Sequence, residues 1–182
     1  MFELRRTLPY LVSCALVLSL VACGGDGGGS VPPTAPPTPP PPPPPPAVVS
    51  QGVGLALEAG FTGRVIVTTT QAGTLKATVD WTFDENDIDV GIFAGDCSFD
   101  QFVGGQCEMV AASASTTAKP ERIEGAASAG TYTLFIVNIG PGDETLSYQV
   151  VLTPDATAAS SASRSKLQWR LKVPPRGFIE LR

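Results

Sequence analysis

The proline-rich stretch at residues 32–46 restricts the fold of this chain more than any other feature of the sequence. Twelve of its 15 residues are proline, and residues 39–46 form an unbroken run. Proline lacks a backbone N–H and has a restricted φ, so this stretch is excluded from helix interiors and central strands. The run is expected to form a semi-rigid polyproline II spacer about 25 Å long. A folded domain is therefore expected on the C-terminal side of the prolines.

From residue 48 onward the sequence changes to short runs in which apolar and polar residues alternate, separated by turn residues. Residues 75–83 alternate strictly, which places Trp81 and Phe83 on the predicted inner face of a half-buried strand. Residues 132–137 are apolar on both faces, which predicts a central strand. No helical periodicity competes with this pattern. We therefore predict an all-β fold, a β-sandwich of about eight strands, at residues 53–57, 64–68, 75–83, 88–93, 107–112, 121–125, 132–137 and 146–152.

The N-terminal segment has the features of an export signal. Arg5 and Arg6 form a basic region, and residues 10–20 form an apolar region. The apolar region contains about a dozen residues, fewer than the roughly 20 that a transmembrane helix needs. The motif Leu-Val-Ala-Cys at residues 20–23 resembles the lipobox of bacterial lipoproteins. That resemblance implies removal of residues 1–22 and lipidation of Cys23, and the following Gly24 favours the bacterial outer membrane, facing either the periplasm or the exterior.

The segments that follow Cys23 differ in composition and charge. We assign residues 23–47 to a Gly/Pro-rich linker, 48–155 to the β-sandwich domain, and 156–182 to a Ser/Ala-rich linker with a basic tail. Residues 23–155 carry four basic and 15 acidic side chains, and residues 156–182 carry six basic and one acidic. The acidic body is expected to repel nucleic acid, whereas the tail can dock on the body or on an anionic surface.

The basic tail contains an alternating apolar and basic run at residues 167–173, followed by two prolines. This run fits a strand, and the sequence leaves open whether it pairs with the acidic body or stays loose. The predicted core strands end near Thr153. Truncation after Asp155 is therefore expected to leave the melting temperature nearly unchanged.

The cysteines are the next constraint. Cys14 lies in the predicted signal segment and Cys23 is the predicted lipidation site, which leaves Cys97 and Cys107. In an exported protein this pair is expected to form a disulfide across a Gly-rich loop, and such a bond contributes roughly 2.5 to 3 kcal/mol.

The acidic turn at residues 84–89 is the strongest candidate for a ligand site. Its oxygen-bearing side chains suit a hard cation such as calcium, although their spacing differs from that of the EF-hand loop. Alternation places the side chains of Asp87 and Asp89 on the face opposite to that of Ile88. The alternative is a solvated acidic turn with no bound ion. The candidate calcium ligands are Asp84, Asn86, Asp87 and Asp89.

Catalysis is disfavoured by composition. The chain contains no histidine, which excludes Ser-His, Cys-His and His-ligated metal mechanisms. Paired carboxylates serve glycosidases, but a small domain has no second element with which to wall a cleft. A Ser-Lys pair involving Lys76 or Lys119 is the remaining alternative, and no further pattern supports it. We therefore predict a protein without enzymatic activity.

Several of these runs together resemble the bacterial pre-peptidase C-terminal domain. They are Val-Asp-Trp-Thr at residues 79–82, Asn-Asp-Ile-Asp-Val at 86–90, Lys-Pro-Glu-Arg-Ile at 119–123, Ala-Gly-Thr-Tyr-Thr-Leu at 129–134 and Leu-Ser-Tyr-Gln-Val at 146–150. The resemblance covers roughly residues 60–153. It implies a jelly-roll-like β-sandwich, non-catalytic and usually attached to secreted peptidases. Some members bind collagen, and some bind calcium through acidic residues.

These observations lead to one functional expectation and one alternative. The first is a lipid-anchored, non-catalytic envelope module that binds a protein or polysaccharide, or has a structural role, at the end of a stalk. The alternative is an accessory subunit that acts in trans with a secreted peptidase or another hydrolase. Membrane association through the anchor is expected in both cases, and nucleic acid binding in neither.

Overall fold

The computed structural model describes residues 41–113, 115, 118–155 and 176–181. The predicted signal segment, Cys23, most of the proline-rich linker and residues 167–173 lie outside these ranges. The described residues form nine strands and one short helix. In chain order these are β1 (Ala47–Leu57), β2 (Phe61–Thr69), β3 (Gly73–Trp81), β4 (Ile88–Ala94), α1 (Phe99–Val103), β5 (Glu108–Ser113), β6 (Glu121–Ala127), β7 (Gly130–Asn138), β8 (Glu144–Pro154) and β9 (Gly177–Glu180).

The strands form two sheets that pack face to face as a β-sandwich, which confirms the predicted fold class. One sheet has the order β1-β8-β3-β6, and the other has the order β5-β4-β7-β2-β9. All of the pairings are antiparallel except that of β2 with β9. The predicted central strand is β7, which is the middle strand of the five-stranded sheet and is buried on both faces.

Strand β3 shows how alternation builds the core. Leu75, Ala77 and Val79 are fully buried, and the residues between them are at least partly exposed. Trp81 is 7% exposed, as predicted for a core residue, whereas Phe83 is 49% exposed. The prediction that Phe83 continues the inner face is wrong, because the strand ends at Trp81 and the chain then turns.

The short helix α1 is a feature that the periodicity of the sequence does not predict. Ser98 caps it, because its hydroxyl accepts from the backbone N–H of Gln101 while the Gln101 side chain accepts from the backbone N–H of Ser98. This Ser-x-x-Gln capping box is the only signal in the sequence, since five residues are too few to show a helical period.

Helix α1 and the loop around it cover the outer face of the five-stranded sheet. Phe102 from the helix stacks on Phe135 from β7, with ring centroids 4.1 Å apart, and Phe93 from β4 completes the cluster. The structure joins Cys97 and Cys107, as predicted, with Cα atoms 5.9 Å apart. The disulfide closes the loop that carries the helix.

The C-terminal residues belong to the sandwich, which differs from the expectation that residues 156–182 form a linker and tail. Strand β9 pairs in parallel with β2, and Leu181 directly after it is 7% exposed and packs in the main core. The side chain of Leu181 occupies the space above Gly63, where a Cβ atom would overlap it. Among the described residues, the run that docks lies C-terminal to the two prolines.

The two ends of the sandwich differ in what they carry. At the basal end, Ala47 of β1 lies opposite Leu152, and Gly73 lies opposite Pro154. At the other end, which we call the apical end, Leu57 lies opposite Glu144 and Ile88 lies opposite Asn138. The connections between β1 and β2, β3 and β4, β5 and β6, and β7 and β8 reach the apical end. We call their described residues the apical loops: residues 58–60, 82–87, 115, 118–120 and 139–143.

Candidate functional site

A buried carboxylate organises the apical loops. Glu144 is the first residue of β8 and is 3% exposed. Its Oε2 accepts from the backbone N–H of Thr82 at 2.8 Å, and its Oε1 accepts from the backbone N–H of Phe83 at 3.1 Å and from Nδ2 of Asn86 at 2.6 Å. A buried charge is tolerated where several hydrogen bonds compensate for its lost hydration. Glu144 thus holds the 82–87 loop in place.

Asn86 extends this network to the neighbouring loop. Its Oδ1 accepts from the backbone N–H of Gly142 at 2.9 Å, and its backbone carbonyl accepts from Nε1 of Trp81 at 3.2 Å. Gly140 packs directly against Asn86, and a Cβ atom at that position would lie 2.5 Å from Oδ1. Every polar group of the Asn86 side chain is therefore used to fix loop geometry.

A second asparagine ties the 139–143 loop to the first apical loop. Asn138 is fully buried, and its Nδ2 donates to the carbonyls of Leu57 at 3.1 Å and Gly142 at 2.9 Å. Oδ1 of Asp143 accepts from the backbone N–H of Ala59 at 2.9 Å. These contacts make the apical loops a preorganised surface, since their backbones are held by side chains from the strands.

The four predicted calcium ligands lie in different surroundings. Asp84 is exposed and forms an ion pair with Lys119, whose Nζ lies 2.5 Å from its Oδ1. Asn86 is buried and engaged by Glu144, Asp87 is half-buried, and Asp89 is 1% exposed within β4. Among the described residues, no group of three or more Asp, Glu or Cys side chains is arranged to hold a metal ion.

The alternative, a solvated acidic turn, agrees with only part of the structure. Asp84 and Glu85 are exposed as that interpretation requires, but Asn86 and Asp89 are buried. Ile88 is completely buried in the main core, on the face opposite to Asp89. The turn therefore combines a solvated tip with a buried base.

Calcium binding at this turn stays a prediction with a direct test. A ligand at about 100 times its dissociation constant stabilises the folded state by roughly 2.7 kcal/mol, which raises the melting temperature of a small domain by several degrees. Thermal melts are recorded with millimolar calcium and with a chelator, for the wild type and for the double variant Asp87→Asn, Asp89→Asn. Calcium is expected to raise the wild-type melting temperature only. Identical wild-type curves in both conditions would contradict the prediction.

Glu121, at the start of β6, is a second buried carboxylate that the sequence did not single out. It is 1% exposed, and its Oε1 accepts from the backbone N–H of Ser115 at 3.0 Å. Burial raises the pKa of Glu121 above its ordinary value, and the nearby Asp87 charge raises it further, against hydrogen bonds from Ser113 and Ser115 that lower it. Ionised Glu121 therefore opposes folding at neutral pH.

The variant Glu121→Gln is expected to be more stable than the wild type at pH 7. The folded state holds the Glu121 proton more tightly than the unfolded chain does, because its pKa is raised. The stability that this bound proton contributes is therefore complete below the ordinary pKa of glutamate. It is lost as pH rises through the raised pKa of Glu121. Urea unfolding between pH 4 and 8 is expected to show a gain for the variant that shrinks towards acidic pH. The same change at exposed Glu124 is the control, and a pH-independent difference would contradict the assignment.

The solvent-facing part of the apical loops forms a small mixed surface, which we call the apical patch: Phe83, Asp84, Glu85 and Lys119. Phe83 is an exposed aromatic ring beside two exposed carboxylates. Nζ of Lys119 lies 5.7 Å from the centroid of the Trp81 ring and also donates to the Thr82 carbonyl at 3.0 Å. An aromatic ring bordered by both signs of charge on fixed loops is suited to contact a partner.

One cavity lies outside the apical patch. It has a volume of about 400 Å³ and lies between the edge strands β5 and β6, lined by Met109, Val110, Ala111, Ala112, Ser113, Arg122, Ile123 and Glu124. Its lining mixes apolar side chains with one positive and one negative charge. No cysteine, and no carboxylate other than Glu124, lines it.

Comparison with known proteins adds no family assignment. No protein-family model matches the chain, and no curated protein is significantly similar to it. In the part of the chain that the structure describes, no helix has the length and apolar character needed to cross a membrane.

Proposed function

We propose that this chain is a lipid-anchored, non-catalytic module of the bacterial cell envelope that binds a protein or polysaccharide ligand at the end of a stalk. The order of segments supports the proposal. A lipobox-like motif at residues 20–23 is followed by the proline-rich stretch, and the sandwich begins with Ala47 directly after it. The resemblance to the pre-peptidase C-terminal domain, and with it the jelly-roll-like description, belongs to the same proposal.

The position of the apical patch is the observation that carries the binding role. The chain enters the sandwich at the basal end, where Ala47 lies opposite Leu152. The apical loops lie at the other end, one full strand length away. The apical patch therefore lies at the end of the sandwich opposite to the entry of the N-terminal segment at Ala47. Binding and recognition residues are commonly found on loops that a rigid scaffold holds in position.

The hydrogen bonds of the apical end favour binding over catalysis. Both oxygens of Glu144 accept from loop donors, and Glu121 is shielded from solvent with one oxygen engaged by Ser115. A general acid or base must reach a substrate proton, and these two groups face the protein interior instead.

The anchor is tested by replacing Cys23 with alanine. The wild-type protein is expected in the membrane fraction and the Cys23→Ala variant in the soluble fraction, because only the thiol can carry the lipid. Mass spectrometry of the wild type is expected to show added acyl mass on Cys23. A wild-type protein without acyl mass, or a variant that remains in the membrane fraction, would contradict the anchor.

The binding surface is tested by changing the apical patch. Envelope and extracellular material is passed over immobilised wild-type protein and over the double variant Phe83→Ser, Lys119→Ala. Central contact residues typically lose about tenfold or more in affinity when truncated, so capture of the ligand is expected to fall by that factor. The matched control is Val48→Ser, which changes a 51% exposed apolar residue near the basal end. Equal capture by all three proteins would contradict a binding role for the apical patch.

A further inference from the structure

The outer edge of β9 is a sheet edge that no strand among the described residues covers. Strand β9 is the last strand of the five-stranded sheet, and it pairs with β2 on one side. On that side the backbone N–H of Arg176 donates to the Gly60 carbonyl. Because successive residues of a strand point their backbone groups to opposite sides, Gly177 and Ile179 direct theirs away from β2. Such an edge can accept one more strand.

This side of the sandwich also leaves apolar side chains of the main core incompletely covered. Strand β1 is an edge of the four-stranded sheet, and it contacts β2, the neighbour of β9. Four partly buried apolar residues that pack against the main core belong to these three strands: Val49, Leu55, Phe61 and Ile179. A strand that turned apolar side chains towards them would remove more of their surface from water, which is favourable.

The length of the chain before β9 limits where the alternating run at residues 167–173 can lie. Three residues, 174–176, separate the run from Gly177, so Val173 lies within about 14 Å of that glycine. The cavity between β5 and β6 lies further away, since β5 is four strands, or about 19 Å, from β9. The end of the run therefore reaches the edge of β9 but not that cavity.

The direction of the run follows from the two ends of the connection. Strand β8 ends at the basal end, where Pro154 lies opposite Gly73. Strand β9 begins at the apical end, where Gly177 lies opposite Phe61, and then descends beside β2. The chain between them must rise from the basal to the apical end. A strand formed by the run beside β9 would therefore be antiparallel to β9.

The alternation of the run matches the two faces of β9. With residues 174–176 as the connection, Leu171 would lie opposite Ile179, which packs against the main core. The apolar residues of the run would then all face inward. Arg170 would lie opposite Glu180, whose side chain is 40% exposed, so opposite charges would meet on the outer face. A shift of one residue would instead turn the basic side chains into the core.

We propose that residues 167–173 form an additional strand that pairs antiparallel with the outer edge of β9. Its apolar side chains cover the margin of the main core, and Arg170 and Lys172 stay on the outer face. The strand ends at Pro174 and Pro175, which lack the backbone N–H groups that a ladder requires. The basic tail thus docks on the acidic body of its own chain and not on an anionic surface.

The first experiment measures the burial of Trp169. The chain contains two tryptophans, Trp81 and Trp169, so subtracting the spectrum of Trp169→Phe from that of the wild type isolates Trp169. We expect blue-shifted emission in the folded protein and acrylamide quenching several-fold weaker than in urea. Emission at the wavelength of the unfolded chain overturns the proposal. So does a blue shift that requires anionic phospholipid vesicles, since the run would then bind a membrane.

Two matched variants test which side chains of the run face the core. Leu171→Lys places a charge at an inward position and is expected to return Trp169 emission to that of the unfolded chain. Gln168→Lys adds the same charge at an outward position and is expected to leave the emission unchanged. Circular dichroism checks that both variants keep the β-sandwich. Equal effects of the two changes overturn the proposal.

The third experiment tests the pairing with β9 directly. Opposite residues of an antiparallel pair have Cα atoms about 4.5 to 5.5 Å apart, which a disulfide can span. The double variant Arg170→Cys, Glu180→Cys is expected to form an additional disulfide, detected by mass spectrometry of unreduced peptides. The matched control is Leu171→Cys, Glu180→Cys, whose new cysteines point to opposite faces and are expected to stay reduced. Free thiols at residues 170 and 180, or equal cross-linking in both variants, overturn the proposal.

Discussion

Replacement of Glu144 by alanine is expected to destabilise the domain by about 3 kcal/mol, because removing one partner leaves buried donors without an acceptor. Glu144 accepts from the backbone N–H groups of Thr82 and Phe83 and from Nδ2 of Asn86. Among the described residues, no other side chain accepts a hydrogen bond from these three groups. The loss lowers the melting temperature on the order of 10 °C for a domain of this size.

Two further variants separate the hydrogen bonds from the volume of the side chain. Glu144→Gln keeps the shape but turns an amide N–H₂ towards loop N–H donors, so we expect a comparable loss of stability. Glu85→Ala removes an exposed carboxylate of the 82–87 loop, which Glu144 holds in place. This variant is expected to change the free energy of unfolding by less than about 0.5 kcal/mol. Urea unfolding measures all three. A Glu144→Gln protein as stable as the wild type would show that the network contributes little.

Truncation after Asp155 is expected to cost about 3 to 5 kcal/mol, contrary to what the sequence pattern predicts. It removes Leu181, which is 7% exposed in the main core, and uncovers the space above Gly63. Deleting a buried leucine side chain typically costs 2–5 kcal/mol, and the truncation also removes the Phe178 ring from Phe99 and the backbone pairing with β2. We expect the melting temperature to fall on the order of 10 °C.

The control for the truncation shortens an apolar side chain at an exposed site. Val53 on β1 is 83% exposed, so Val53→Ala is expected to leave the melting temperature within a degree or two. The single change Leu181→Ala isolates the core contact and is expected to account for at least half of the loss. Full stability of the truncated chain would mean that β9 contributes no net free energy to the fold.

The order of the strands along the chain and the inner faces of most of them follow from the sequence alone. Leu75, Ala77 and Val79 are buried because alternate side chains of a strand point to the same face, and this relation needs no knowledge of the rest of the fold. The central position of β7 follows for the same reason, since a run that is apolar on both faces requires cover on both. The pairing of Cys97 with Cys107 was predictable because the lipobox resemblance implies other fates for Cys14 and Cys23.

The tertiary structure alone decided the roles of the isolated polar residues and of the C-terminal strand. Glu144, Asn138 and Glu121 look like ordinary turn or strand residues in the sequence, and their burial depends on which loops meet at the apical end. The acidic turn divides into a solvated tip and a buried base for the same reason. Residues 177–180 are too few to show a period, and they become a strand because β2 offers an unpaired edge and Gly63 a space for Leu181. Alternation is a local property of the chain, whereas the partner of a buried polar group or an edge strand lies far away in sequence.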